Sequence, residues 1–500
     1  MTRPPSALDR VYALLAEGRP NEALTLTEPL VRGLNATHGA LAAHSTALKA
    51  AGRAEEALKF DERASRAFPT SGVAWHNLAA TLGDLGRAAE AKSVAERAFA
   101  LGLNAPETWL TYARALVVLH DMPGSERAYR QALRLRPAYT EAAIALAKIV
   151  WMQTGDPEAA VLPLSAAMAA GGEQSQLVIM KGKIFQAAGR RDRQQAVYEE
   201  ALRHQPDDAS VLRAAAEFFL VEGQEAKAAE LAERAVALRP DFIAGLVQLV
   251  AVYLAQGRSR EALALAKRAT EVAPLDQSTW GWLATAARAA GEPAYAELYD
   301  YGRLVRSYGL ETPQGWPNLE AYLTDLAAAL RAIHVFQVEP ADQSLRLGTQ
   351  TASDLQTSTD PALKAFFSAV KKPVDDYLSA LGAGSDPLRT RNTGRHRIDS
   401  AWSVLLKPNG YHANHFHPHG WLSSAFYVEV PTQAIGTTGR QAWIKFGEPP
   451  FRTDPPIGPE HFVQPEPGKL VLFPSYMWHG TVPFSTAESR MTIAFDVLPG

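Results

Sequence analysis

The sequence has no cysteine in its 500 residues. This excludes disulfides, thiolate-bound zinc, cysteine-ligated iron–sulfur clusters and cysteine nucleophiles. Any metal here would have to be held by His, Asp or Glu. No run of about eighteen consecutive apolar residues occurs, so a membrane-spanning helix is not expected. The N-terminal stretch MTRPPSALDRVYALLAEG lacks the apolar core of a secretory signal. An excess of one charge is also missing: 50 Lys and Arg face 53 Asp and Glu, a net charge of −3. That leaves no basic field of the kind that drives non-specific nucleic-acid binding. Together these absences give the expectation of a cytoplasmic protein with neither nucleic-acid nor membrane partners. What is present is ordinary globular material, 47% hydrophobic with 35 Gly and 33 Pro, which excludes disordered and collagen-like chains. At roughly 100–200 residues per domain, the length implies two to four domains, or a repeat array plus a domain.

The first three hundred residues repeat. Glycines recur 34 apart at Gly18, Gly52 and Gly86, and again at Gly155, Gly189, Gly223, Gly257 and Gly291. A shared pattern follows several of them: GRAEEAL at 52–58, GRAAEA at 86–91, GRSREAL at 257–263. Prolines close repeats at Pro69, Pro137, Pro206, Pro240 and Pro274. A glycine between two helices accepts the left-handed backbone of a tight turn. The small Ala on the second helix lets the pair approach, larger residues such as Trp75, Leu78 and Leu82 fill the gap, and proline stops the second helix. At 120–124 the sequence HDMPG replaces the usual Gly-Arg, a variant turn still in phase with Pro137. The pattern resembles the tetratricopeptide repeat. That resemblance implies an all-α solenoid of about eight or nine helix pairs over residues 5–300. Such arrays present a concave surface that holds a protein or peptide; a spacer or an oligomerisation surface is the alternative.

The character changes after 300. Residues 317–335 read as an amphipathic helix with proline in its first turn, and 360–381 as another with Asp360 as N-cap and Pro361 next. From about 398, short runs rich in Val, Phe, Tyr and Trp are broken by Gly, Pro and Asn. Strands are expected near 400–407, 421–430, 441–446, 469–473 and 490–497, a barrel or sandwich.

Four of the 13 histidines fall in GYHANHFHPHGW: His412, His415, His417 and His419. In an extended segment His415 and His417 point the same way, so the pair can offer two nitrogens to one metal. A third ligand can come from His479, which ends KLVLFPSYMWH, and Arg490 follows eleven residues later at the start of the last strand. A guanidinium near a metal suits a bidentate carboxylate partner. His-x-His, a long interval, His and then Arg is similar to the 2-oxoglutarate- and Fe(II)-dependent oxygenases. More narrowly, QSLRxGTQT (343–351), HxxHxHP (412–418), LSxxFYVxVP (422–431) and LFPSxxxH (472–479) resemble a bacterial branch of that family. The resemblance covers 340–498 and implies a double-stranded β-helix, or jelly roll, with flanking helices in a domain spanning 310–500. It implies Fe(II) held by His415, His417 and His479, with 2-oxoglutarate as cosubstrate gripped by Arg490. It also implies hydroxylation coupled to decarboxylation of the keto acid. His412, Asn414, His419 and Ser423 are candidates for the layer behind the ligands or for the substrate side.

One departure stands out: the commonest such site is two His and one carboxylate, and here the second position is His417. Three neutral imidazoles leave the site more positive by one charge, which also fits three-His dioxygenases that need no keto acid. The repeat array favours a protein or peptide substrate, a domain order similar to that of aspartyl/asparaginyl β-hydroxylases, whose local motifs differ. A non-catalytic adaptor with a relic barrel and a small-molecule hydroxylase are the other readings. Arg490 could instead pair with Glu488 or Asp496 at the surface. Trp421, Phe426 and Tyr427 read as barrel core, His396 and His461 as structural, and His76 and His204 as helix-surface residues.

Overall fold

The computed structural model describes residues 6–436 and 439–500; Pro5, where the expected repeat array begins, lies outside them. The chain divides into two compact units, one of Met1–Ile149 with Ser165–Gly172, the other of Val150–Leu164 with Glu173–Gly500. Among the described residues no helix is long and apolar enough to cross a membrane.

The helices follow the sequence period, from Ala7–Ala16 and Pro20–Val31 to Ile243–Ala255 and Ser259–Val272, and the series closes on the single helix Gln277–Ala290. The recurring glycines take positive φ at the turn inside each pair, 72° at Gly18, 74° at Gly52 and 72° at Gly257. In the variant turn His120 carries the left-handed backbone instead, at φ 61°. The second helices bury a small side chain at one repeating position: Ala23, Ala57, Ala91, Ala160, Ala228 and Ala262 are all fully buried. Arg234 and Arg268, one period apart, donate to the carbonyls of Pro206 (2.8 Å) and Pro240 (2.7 Å), capping the repeat before their own. His76 departs from the surface position expected for it. It is half-buried and lies 3.2 Å from the Thr108 hydroxyl, because its helix face turns toward the next repeat. His204 is exposed, as expected.

Beyond the repeats, the described residues form several helices and nine strands. Helix Leu319–Ile333 starts at Asn318, whose side chain accepts the Ala321 amide. The expected helix over 360–381 is two helices, Pro361–Ala369 and Lys371–Leu381. Pro373 has no N–H to give and its ring crowds the carbonyl four residues back, so the helix restarts there. The strands are β1 (Arg306–Gly309), β2 (Leu345–Gln350), β3 (His396–His412), β4 (Leu422–Glu429), β5 (Ile444–Phe446), β6 (His461–Val463), β7 (Lys469–Pro474), β8 (His479–Thr481) and β9 (Arg490–Pro499). They form a six-stranded antiparallel sheet, β1-β7-β4-β9-β3-β2, and a three-stranded one, β6-β5-β8. This is a jelly-roll frame following an all-α solenoid.

Strand alternation sorts the large sheet into two faces. Phe426 of β4 and Phe495 of β9 pack outward under Phe366 of helix Pro361–Ala369, with ring centroids 4.9 and 6.1 Å away. The opposite face carries Ser400, Trp402 and Val404 of β3, and Arg490, Thr492, Ala494 and Asp496 of β9. These line a cavity of about 320 Å³.

Candidate metal centre

The chain leaves β3 at His412, bends, and runs extended past the start of β8. His415 and His479 exchange both backbone hydrogen bonds, each 2.9 Å, and the His417 amide donates to the Ser475 carbonyl at 2.9 Å. These bonds clamp two segments some sixty residues apart in sequence. Side chains alternate along the extended run, so His415 and His417 share a face with His479. Their ring centroids are 4.2, 5.2 and 5.1 Å apart, and one ring nitrogen from each lies within 4.8 Å of the others.

The nitrogens facing away are all engaged. His415 Nδ1 donates to the Ala413 carbonyl (2.9 Å), His479 Nδ1 to the Met477 carbonyl (2.9 Å) and His417 Nδ1 to Asp496 Oδ1 (2.6 Å). A carbonyl or carboxylate can only accept, so the proton sits on Nδ1 and the Nε2 lone pair is left for a ligand. Burial, then the neighbouring imidazoles, push the His479 and His412 pKa values far below the usual imidazole range; the same causes bring His415 down to about 3. Burial thus holds His415 and His479 in the neutral form that binds metals. His415 Nε2 and His417 Nε2 are 3.3 Å apart. Two nitrogens about 2.1 Å from one ion and at right angles would be about 3 Å apart, so the residues present fit an ion.

Asp496 supplies the negative charge missing from the three-imidazole set. Its Oδ1 accepts from His417 Nδ1 and from Ser423 Oγ (2.8 Å), while Ser423 and Ser475 hydroxyls are 2.9 Å apart. The carboxylate is therefore one hydrogen bond behind the ring, where it orients the imidazole and raises its basicity.

Arg490 is 2% exposed, and neither surface partner considered for it is available. Asp496 holds His417, and Glu488 accepts from the Thr432 hydroxyl and the Gln433 amide. The guanidinium carbon sits 5.0 Å from the centre of the Tyr427 ring. Arg490 Nε and the Tyr427 hydroxyl are both buried without a hydrogen-bond partner. Burial pushes the Arg490 pKa down and the Tyr427 pKa up. An unmatched buried donor costs about 1–3 kcal/mol, more when charged, a cost that an anion brought to Arg490 would offset.

The remaining candidates divide. His412 lines the cavity, its Nδ1 3.1 Å from Ser344 Oγ, which also lies 3.2 Å from His415 Nε2. His419 is exposed at the cavity mouth, and Ser423 supports Asp496. Asn414 is the exception: it is out of phase with His415, turns away from the cavity and donates to Glu448 (2.9 Å) and the Pro449 carbonyl (3.2 Å). Its expected place beside the ligands or substrate is corrected accordingly. Sequence reasoning missed Asp496, Ser344 and the polar end of Tyr427. The spacing held a signal for the first, since positions 490, 492, 494 and 496 of one strand must share a face.

The family model described as "Putative 2OG-Fe(II) oxygenase" matches residues 400–496. A tetratricopeptide-repeat model matches 110–174, 179–241 and 248–309. No curated protein matches the sequence. Among solved structures, a chain of the APC/C hetero-tetramer Cut9-Hcn1 is 16% identical with a TM-score of 0.34, covering 49% of this chain and 48% of its own. The chain thus spans about half of that relative's length. A tetratricopeptide repeat protein from Parabacteroides merdae ATCC 43184 is 14% identical with a TM-score of 0.35, covering 49% of this chain and 97% of its own. The protein carries tetratricopeptide repeats within residues 110–309 and, at 400–496, a domain matching the 2OG-Fe(II) oxygenase model.

Proposed function

We propose that this protein is a 2-oxoglutarate- and Fe(II)-dependent dioxygenase that hydroxylates a protein or peptide recruited by its repeat array. In this reading residues 5–300 recruit and residues 310–500 catalyse, in the cytoplasm. The observation that carries it is the convergence of His415, His417 and His479 with every Nδ1 engaged and every Nε2 lone pair directed inward. These rings would hold Fe(II), which when bound supplies dioxygen activation coupled to decarboxylation of the keto acid.

The chain's own residues do the rest. Arg490 Nε, with the Tyr427 hydroxyl beside it, grips the distal carboxylate of 2-oxoglutarate and so relieves the two unmatched groups. Asp496 keeps His417 in one tautomer and orientation. Trp402, 5.6 Å from the His417 ring, and Val404 exclude water from the cavity wall. Ser344 and His412 border the open side, with His419 at the mouth where substrate enters.

The test is succinate formation from 2-oxoglutarate by the full chain under Fe(II) and oxygen. The expected result is turnover that disappears in His479→Ala and shows a KM for 2-oxoglutarate raised at least about tenfold in Arg490→Lys, which cannot reproduce the planar fork. The three-His set favours one rival, a dioxygenase independent of keto acid. Oxygen consumption unaffected by omitting 2-oxoglutarate would establish that rival. No metal uptake and no turnover would leave the adaptor.

A further inference from the structure

The segments that carry the three histidines have a second face. The rings of Phe416, between His415 and His417, and Trp478, just before His479, pack onto the helix Gln277–Ala290, the last of the repeat series. Their rings are 4.2 Å apart, and Trp282 of that helix meets Phe416 at 6.5 Å and Trp478 at 5.1 Å. Apolar cover of this sort is ordinary packing. The polar contacts are more specific. Trp478 Nε1 donates to Thr285 Oγ1 (2.8 Å), and the Trp478 amide donates to the Tyr299 hydroxyl (2.9 Å). That hydroxyl donates in turn to the Tyr476 carbonyl (3.1 Å). At the helix start the Gln277 amide donates to the Pro418 carbonyl at 2.9 Å. One helix and the residues after it thus fix the backbone of both ligand segments, 415–418 and 476–479.

Gly281 marks the closest approach. A Cβ there would lie 2.7 Å from the Tyr476 carbonyl oxygen and 3.2 Å from Phe416 Cδ1. Only a residue without a side chain lets the helix seat against both segments at once. A metal site tolerates displacements of about 0.5 Å before it loosens, so the depth of this seat sets how far His479 stands from the His415/His417 pair.

The geometry points to Gly281, Thr285 and Tyr299 as positioning residues of the metal centre, contributed by the end of the repeat series rather than by the β-module. The inference rests on the three imidazoles binding a metal. It makes the last repeat the support behind the ligand segments, so that a displacement of this helix is read at the ligands.

The test is Co(II) titration of the metal-free full-length protein, followed by its visible absorption, alongside thermal melting. Wild type is expected to bind one Co(II) in a His479-dependent manner. Gly281→Ala, although alanine is the better helix former, should weaken binding about tenfold or more and alter the absorption bands. Thr285→Val and Tyr299→Phe, close in shape to the residues they replace, should each weaken it about 10- to 100-fold, the range for residues that hold metal ligands. Gly83→Ala, a helical glycine with open space around it, should change neither affinity nor spectrum. Should Gly281→Ala fail to fold, the other two variants decide. Wild-type affinity and spectrum in Thr285→Val and Tyr299→Phe would overturn the positioning role while leaving the metal site intact. Absence of His479-dependent Co(II) binding in wild type would overturn both.

Discussion

The two ends of the cavity are built on opposite plans. At one end, His415, His417 and His479 have their outer nitrogens bonded to Ala413, Asp496 and Met477, so the protein has already oriented what an ion would need. At the other, Arg490 Nε and the Tyr427 hydroxyl are buried side by side without a well-aligned hydrogen bond. A half-buried histidine outside the cavity sharpens the contrast. His334 has Nδ1 2.8 Å from the Thr349 hydroxyl and Nε2 3.1 Å from the Ser403 hydroxyl, so both ring nitrogens are spent on the fold. The same side chain is structural or functional according to whether its second nitrogen is left open. Under the proposed function, the preorganised rings would serve a resident metal and the unmatched donor a ligand that comes and goes.

The comparison can be broken most sharply at its metal end. His479→Ala is expected to abolish stoichiometric metal binding, measured by metal analysis after dialysis; retained binding would mean that the rings do not act together. At the anion end, Arg490→Met should leave metal content unchanged and remove the stabilisation of the metal-loaded protein by 2-oxoglutarate in a thermal melt. The same variant should make the ligand-free protein more stable by about 1–3 kcal/mol in urea unfolding, because an unmatched buried charge is gone. A destabilised variant would show that Arg490 serves the fold.

Asp496→Asn tests whether the outer carboxylate does for His417 what a ligating carboxylate does elsewhere. Metal affinity should fall about 10- to 100-fold, less than for loss of a ligand, and an unchanged affinity would remove Asp496 from the site. The effect confined to the fold belongs to His334, whose pKa burial pushes down to about 4. An unfolded histidine takes up its proton near pH 6.5. The folded state lags, so stability is complete above about pH 6.5 and declines as the pH falls toward 4. For this residue the loss is on the order of 3 kcal/mol. The difference in urea stability between wild type and His334→Gln should shrink over that window, and a difference independent of pH would contradict it.

Much of this was legible in the sequence, for identifiable reasons. The 34-residue glycine period reports a backbone requirement at each turn, which no side-chain context alters, and it even located the variant at His120. The His415/His417 pair and Arg490 were readable because extended segments alternate. What escaped depended on contacts across the fold. Tyr427 read as core because its ring is core; only its neighbour across the sheet, Arg490, reveals the hydroxyl as unmatched. Asp496 read as a surface partner although alternation puts it on the same face of β9 as Arg490; its role shows only in the contact with His417, distant in sequence. His76 and Asn414 went astray by one face each, the former toward the next repeat and the latter away from the cavity.

The central claim is that three imidazoles from two distant segments hold one ion with no carboxylate among its protein ligands. X-ray absorption of the anaerobic, Fe(II)-loaded full-length protein addresses it directly. The expected result is one iron per chain with scattering from three imidazole rings, falling to two in His479→Ala. Iron that does not bind in stoichiometric amount, or a coordination shell unchanged by that substitution, would contradict it.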